Sequence, residues 1–164
     1  MKTASRIQKK IIHLVLLDLR SVYNVGSLFR TADAIGVSKI YCVGTTPSPL
    51  DRFGRERKDI AKVALGAEKN VSWEYCENEK DLFEKLKEEG FVLWALEQDE
   101  KSKDYKEVAP SEKTALVLGN EPEGISKETL SLMDEIVEIP LYGKKESLNV
   151  SVAGGIALFG LFDK

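Results

Sequence analysis

The sequence predicts an α/β protein built on a mostly parallel sheet with helices on both faces. Short apolar runs alternate along the whole chain with segments whose apolar residues recur at helical spacing. The first run, residues 11–18, is apolar almost without a break. That pattern suits a strand buried on both sides, as a helix-covered parallel sheet requires.

The elements follow in order. Residues 24–35 place Val25, Leu28, Phe29, Ala32 and Ile35 at helical spacing, with Asn24 suited to the N-cap and Gly36 ending the segment. Residues 39–43 read as a strand, and Pro47, Pro49 and Gly54 make 44–54 a loop. A short helix over 59–65 and a strand over 71–75 come next. Residues 79–89 form an amphipathic helix through Leu82, Phe83 and Leu86, closed by Gly90. Residues 91–96 are a strand, 97–111 a polar loop, and 114–118 a strand running into Gly119. A helix over 126–133, a strand over 135–139 and a very apolar helix over 148–162 complete the chain.

At 164 residues, 43% hydrophobic and 31% charged, the chain has the size and composition of one domain with a substantial core. That excludes a disordered tail, a fibrous repeat and a disulfide-stapled miniprotein. Cys42 and Cys76 have no CxxC spacing and read as reduced thiols of a cytoplasmic protein. His13, the single histidine, lies within an apolar run, so no His-rich metal site exists and no metal is expected. Lys2, Arg6, Lys9 and Lys10 before the apolar run imitate a signal peptide. The run, however, contains His13, reaches Asp18 and Arg20, and has no small-residue cleavage site. No run approaches the roughly 20 residues of a membrane span, so a soluble protein is expected.

Charge is uneven. Residues 1–70 hold 13 Lys/Arg and 6 Asp/Glu, whereas 71–164 hold 11 and 21. The densest basic cluster is Arg52, Arg55, Arg57, Lys58 and Lys62, in a segment of loop character. It can contact phosphates and speed association with nucleic acid. The alternative is a solvated loop with ion pairs to Asp51, Glu56 and Asp59.

Three polar segments stand out beside this apolar framework. Asn24 to Ala32 (NVGSLFRTA) opens a helix, with Gly26 permitting close approach of another segment or ligand and Arg30 further along. A capped helix with a surface arginine is the plainer reading. Gly119 to Gly124 (GNEPEG) follows a strand and precedes Ser126, a candidate cap. It lacks the Gly-Lys-Ser/Thr of a phosphate loop and the GxGxxG of a dinucleotide site, and an ordinary strand-to-helix turn remains open. Ser147 to Gly155 (SLNVSVAGG) sets three polar residues at the start of the most apolar helix. Burying them costs free energy unless each is hydrogen-bonded, which favours a role in binding or assembly.

In order, spacing and content the three segments resemble the SpoU/TrmH family of RNA 2′-O-ribose methyltransferases, within the SPOUT superfamily. The matching residues are Asn24, Gly26, Arg30, Thr31 and Ala32; then Gly119, Glu121 and Gly124; then Ile139-Pro140 and Ser147 to Ala153. The resemblance implies a deep C-terminal trefoil knot, a homodimer with the active site near its interface, and S-adenosylmethionine as cofactor. It implies catalytic roles for Arg30, Asn24, Glu121, Ser147 and Asn149. Leu96, Gly119, Ile139, Leu141 and Leu148 are the implied cofactor contacts.

An arginine stays protonated at neutral pH and is a poor base, so polarisation of the 2′-hydroxyl suits Arg30 better than proton abstraction. Tyr23 departs from the histidine or other polar residue that many relatives carry. The expectation is a single knotted methyltransferase domain over 1–164 with no added RNA-binding domain. RNA would then meet the catalytic domain and dimer surface, through Arg52, Arg55, Arg57, Lys58 and Lys62, with Lys9 and Lys10 as lesser candidates. Small size favours tRNA over rRNA. Competing readings are a non-catalytic RNA-binding knotted protein and a small-molecule nucleotide-binding α/β protein of flavodoxin type.

Overall fold

A computed structural model describes residues 10–163. In β1 (Ile11–Leu17) the side chains alternate between two cores. Ile12, Leu14 and Leu16 face one, and Val15 and Leu17 face the other. Six further strands follow: β2 (Lys39–Val43), β3 (Ser72–Cys76), β4 (Val92–Leu96), β5 (Lys103–Asp104), β6 (Lys113–Leu118) and β7 (Glu135–Glu138). Their order across the sheet is β3-β2-β1-β6-β4-β7-β5, and every pairing is parallel. Register is set through the centre, where Leu14 lies opposite Ile40 of β2 and Leu116 of β6.

Helices cover both faces, as the sequence predicts. One core takes side chains from α1 (Val22–Ile35), α2 (Lys58–Ala64), α3 (Ala67–Asn70) and α6 (Val150–Phe162). The other takes them from α4 (Glu79–Glu88) and α5 (Lys127–Leu130). No helix among the described residues is long and apolar enough to cross a membrane.

Four expectations are corrected. Asn24 is not the N-cap of its helix: α1 starts earlier, and Ser21 caps it by accepting a hydrogen bond from the Asn24 amide at 3.1 Å. The predicted polar loop 97–111 holds β5 and a 3₁₀ turn (Tyr105–Glu107), because Lys103 and Asp104 pair with Val137 and Glu138. The predicted helix 126–133 is one turn. Ser126 caps it as expected, but the chain must reach Asp134, whose carboxylate accepts from the Leu93 amide at 2.8 Å just before β7. The last helix starts at Val150 rather than 148, because Asn149 is its cap.

Two glycines set the closest packing. A Cβ on Gly26 would lie 2.8 Å from Val63 Cβ and 3.1 Å from the Ile60 carbonyl, so what approaches α1 here is α2. A Cβ on Gly154 would meet Leu118 and Leu28, both at 2.8 Å, so α6 lies close on α1 and β6.

His13 stacks on Phe91 with ring centroids 4.2 Å apart, and its Nδ1 is buried without a hydrogen-bond partner. Burial and then the Lys39 ammonium push its pKa down to about 4, against an opposing pull from Glu89 and with smaller pushes from Lys113 and Lys85. Between that value and the ordinary 6.5, the unfolded chain takes a proton that the folded chain refuses. Its contribution to stability is therefore complete above pH 6.5 and is lost as pH falls toward 4. His13→Phe, which keeps a ring against Phe91, should flatten this part of the pH dependence in urea midpoints measured from pH 7 to 4. An unchanged slope would show that carboxylates alone set it.

Candidate active site

Parallel strands leave their carboxyl ends on one edge of the sheet, and the loops that diverge there enclose a crevice. In this chain the loops after β4, β6 and β7 and the start of α6 enclose a cleft of about 520 Å3. Leu96, Gly119, Ile139, Leu141 and Leu148 all line it, and so do Glu121, Ser147 and Asn149. The three strand ends bring together residues more than 40 positions apart. Ser147 and Leu148 are exposed on its wall, while Leu118 closes its floor.

Behind the cleft runs a chain of polar side chains. The backbone amides of Arg20 and Ser21 donate to the Glu121 carboxylate at 3.3 and 3.4 Å. Asn24 Nδ2 donates to Glu121 Oε1 at 3.1 Å, and Asn149 Nδ2 donates to Asn24 Oδ1 at 3.2 Å. Asn149 Oδ1 accepts from the Ser151 amide at 2.9 Å, the Ser151 hydroxyl at 2.6 Å and the Val152 amide at 3.4 Å, which caps α6. An ionised carboxylate only accepts, so Glu121 dictates which end of Asn24 faces it, and Asn24 in turn dictates the orientation of Asn149. Burial pushes the Glu121 pKa upward. Hydrogen bonds from Asn24 and from the Glu121, Arg20 and Ser21 amides outweigh this and hold it below the usual glutamate value. The carboxylate form, and the stability it lends, is present at neutral pH and is lost as pH falls through that lowered value.

Arg30 does not join this group. It is exposed on α1, on the same face as Tyr23 and Ser27, and does not line the cleft of its own chain. The basic cluster lies apart as well, on the β2–α2 loop and α2. Arg55 pairs with Asp51 at 3.0 Å and Arg57 with Asp59 at 2.9 Å, which is the ion-paired alternative for those two. Glu56 instead approaches Lys69 at 3.9 Å. Arg52, Lys58 and Lys62 are exposed and carry no ion pair among the described residues. Lys10 is described, whereas Lys9 lies outside the described residues.

Sequence reasoning missed Glu97. Its Oε2 accepts from the Ile125 amide at 2.9 Å and its Oε1 from the Gln98 amide at 3.0 Å. Gly124 has φ +68°, and a Cβ there would strike the Glu97 carboxylate. Asn120 ties the other side of the loop to the Asp18 carbonyl at 2.8 Å. These two residues give the Gly119 to Gly124 loop its shape. A lone glutamate at the start of a polar stretch offered no signal of this, nor did Glu123 and Glu138, which also line the cleft.

Asn149 serves both as a helix cap and as a link to Asn24, and the two roles can be separated. Asn149→Ala should cost about 1 kcal/mol or more through the lost cap. Asn149→Ser keeps a capping oxygen but cannot span to Asn24, and should recover most of that loss in thermal melts. Equal destabilisation by both would show that the link to Asn24, rather than the cap, carries the energy.

The family profile described as "SpoU rRNA Methylase family" matches residues 11–159. A tRNA (guanosine(18)-2′-O)-methyltransferase of Thermus thermophilus is 32% identical over 166 residues, covering 92% of this chain and 78% of the relative. The crystal structure of an AdoMet-bound rRNA methyltransferase from Sinorhizobium meliloti superposes with a TM-score of 0.83 at 27% identity, covering 93% of this chain and 56% of that one. That of the A. aeolicus TrmH/SpoU tRNA modifying enzyme gives 0.76 at 29%, covering 93% and 73%. This chain therefore spans little more than half of the Sinorhizobium protein and most of the Thermus one. With matched residues running from β1 into α6, and with Asn24 of the first polar segment hydrogen-bonded to Glu121 and Asn149 of the other two, this chain belongs to the SpoU methylase family.

Proposed function

We propose that this chain transfers the methyl group of S-adenosylmethionine to a ribose 2′-hydroxyl of RNA, with tRNA as the favoured substrate. The observation that carries the reading is the link Glu121–Asn24–Asn149, which ties all three segments together behind one cleft. The relatives' names support the chemistry, and those naming guanosine 18 of tRNA make that nucleotide the first to inspect.

The residues present fit the cofactor. A cleft of about 520 Å3 lies within the roughly 300–1,000 Å3 usual for small-ligand sites. Leu96, Leu118, Leu141 and Ala153 offer apolar walls for a purine. The backbone groups of Gly119, Ile139, Leu141 and Leu148 would read its edge. When bound, the cofactor supplies an electrophilic methyl on a sulfonium. Glu121 and Asn24 hold the first turn of α1 against the Gly119 to Gly124 loop, and Asn149 with Ser147 shapes the opposite wall. Arg30 would polarise the attacking hydroxyl and neighbouring phosphate.

The same reading makes the chain a single knotted methyltransferase domain. Support for a trefoil knot comes from the order of assembly. β6 enters between β1 and β4, β7 enters between β4 and β5, and α6 then returns to pack on α1.

The reading also includes a homodimer and a cytoplasmic location, the latter supported by the unpaired Cys42 and Cys76. On α6, Val152, Ile156 and Phe159 stand at i, i+4 and i+7, exposed by 50%, 37% and 43%. The stripe starts beside the cleft, since Val150 and Ala153 line it. Thr31, next to Arg30, lies against Gly155 of the same helix. A second copy covering the stripe would bring Arg30 close to an interface that borders the clefts.

Labelled methyl transfer to unmodified tRNA and, separately, rRNA transcripts, followed by nucleoside analysis, tests the activity. A 2′-O-methylated nucleoside from tRNA is expected. Product from rRNA alone would reassign the substrate, and product from neither would favour a binding protein. Arg30→Ala should lower turnover by about 10²–10³-fold while cofactor affinity holds, and near wild-type turnover would remove its assigned role. Ile156→Asp should convert dimers to monomers in sedimentation velocity. A wild-type chain that sediments as a monomer at micromolar concentration would overturn the dimer.

A further inference from the structure

The loop between β2 and α2 carries an aromatic ring that neither the cores nor the cleft uses. Phe53 is 66% exposed. The guanidinium carbons of Arg52 and Arg55 lie over the ring, 4.8 and 4.9 Å from its centroid. The frame around it is built rather than loose. Leu50 and Glu56 form an antiparallel bridge, and the Asp51 amide donates to the Arg55 carbonyl at 2.8 Å. Asp51 Oδ1 accepts from the Phe53 and Arg55 amides at 2.8 and 2.9 Å. Asp51 Oδ2 accepts from Arg55 Nε at 3.0 Å, which holds that guanidinium near the ring. The hydrogen bond from the Arg55 amide, joined by those from the Phe53 amide and the Arg55 side chain, outweighs desolvation and lowers the Asp51 pKa, so the carboxylate that organises the tip stays ionised at neutral pH.

Leaving a phenylalanine in water forgoes most of the gain from burying it, and here the cost is combined with a preorganised turn. The surroundings indicate what the ring would meet. Arg52, Lys58 and Lys62 are exposed and free of ion pairs among the described residues, so the patch is cationic. With Arg52 turned aside, the exposed ring and the guanidinium groups that lie over it match a nucleobase with its adjoining phosphates. Unpaired bases stack on such rings whatever their identity.

We propose that Phe53, flanked by Arg52 and Arg55, is a stacking platform for an unpaired base of the RNA substrate, with Arg52 meeting an adjacent phosphate. The proposal rests on the RNA methyl-transfer reading and adds to it the kind of RNA engaged: one that presents at least one splayed nucleotide. Arg55, held by Asp51, keeps the ring oriented, while the unpaired Arg52 is able to turn toward the backbone.

The test uses the full chain and an unmodified tRNA transcript, with affinity measured over a salt series and methyl transfer measured in parallel. Phe53→Ala should weaken RNA binding about 5- to 150-fold at fixed salt, the range set by one base–aromatic stack. The salt slope should not change, because no charge is removed. Phe53→Trp should restore affinity, and KM should rise in the alanine variant with kcat retained. Arg52→Gln, by contrast, should lower the salt slope by nearly one. Melting temperatures near that of the wild type would confirm folding, since the ring packs in neither core. Binding by Phe53→Ala within two-fold of wild type overturns the platform, as does equal loss in the alanine and tryptophan variants. If the wild-type chain methylates RNA and Phe53→Ala is unaffected, the platform falls and the activity stands. If RNA binds in a Phe53-dependent way but no methyl is transferred, the activity falls and the platform stands. No RNA binding by the wild-type chain overturns both.

Discussion

Asn24 holds this structure together at the point where its chemistry would occur. The residue keeps only 5% of its exposure, and its side-chain amide lies between Glu121 on one side and Asn149 on the other. A buried amide without partners is costly, so burying Asn24 obliges the loop after β6 and the cap of α6 to meet at the start of α1. The loop after β6 and the cap of α6, 97 and 125 residues along the chain from Asn24, are thereby fixed relative to it. Because the carboxylate can only accept, the direction of every hydrogen bond in the series follows from Glu121. A cleft wall held in this way cannot adjust one segment without leaving another unsatisfied.

The apolar architecture makes that junction possible. Because β6 pairs with β1 on one side and β4 on the other, the loops at their carboxyl ends open side by side. Gly154 lets α6 settle against Leu118 and Leu28, so the helix capped by Asn149 reaches the same edge. Thr46 performs a smaller version of the same task. Buried at the end of β1, it accepts from the Leu19 amide at 2.9 Å and donates to the Leu16 carbonyl at 2.7 Å, which satisfies the backbone where the strand breaks toward α1.

Charge is arranged differently from the cleft. Ion pairs occupy Arg55 and Arg57, so the dense basic stretch in the sequence is less cationic than a count suggests. Among the described residues Arg52, Lys58 and Lys62 carry no ion pair, and Arg52 lies over an exposed ring. Exposed ion pairs of this kind add little stability. Their effect here is geometric, because Asp51 spends its carboxylate on shaping the turn that presents Phe53.

The alternation of strand and helix, the two-faced burial of the sheet and the identity of the three polar segments were legible in the chain, because apolar periodicity records which side chains must leave water. Local capping was legible where the cap competes with nothing else, as at Ser126, and misleading at Asn24. Asn24 looks like a cap, yet tertiary partners recruit its side chain and leave the role to Ser21. The two-residue β5 could not be read, since pairing with β7 rather than any propensity makes it a strand. Glu97 was equally silent, because its value lies in the Ile125 amide nearly thirty residues away. Which polar groups meet, and whether Phe53 stays exposed or packs into a core, depends on distances between segments remote in sequence. A one-dimensional pattern carries burial and helix ends, while hydrogen-bond partners are chosen only when the chain has closed.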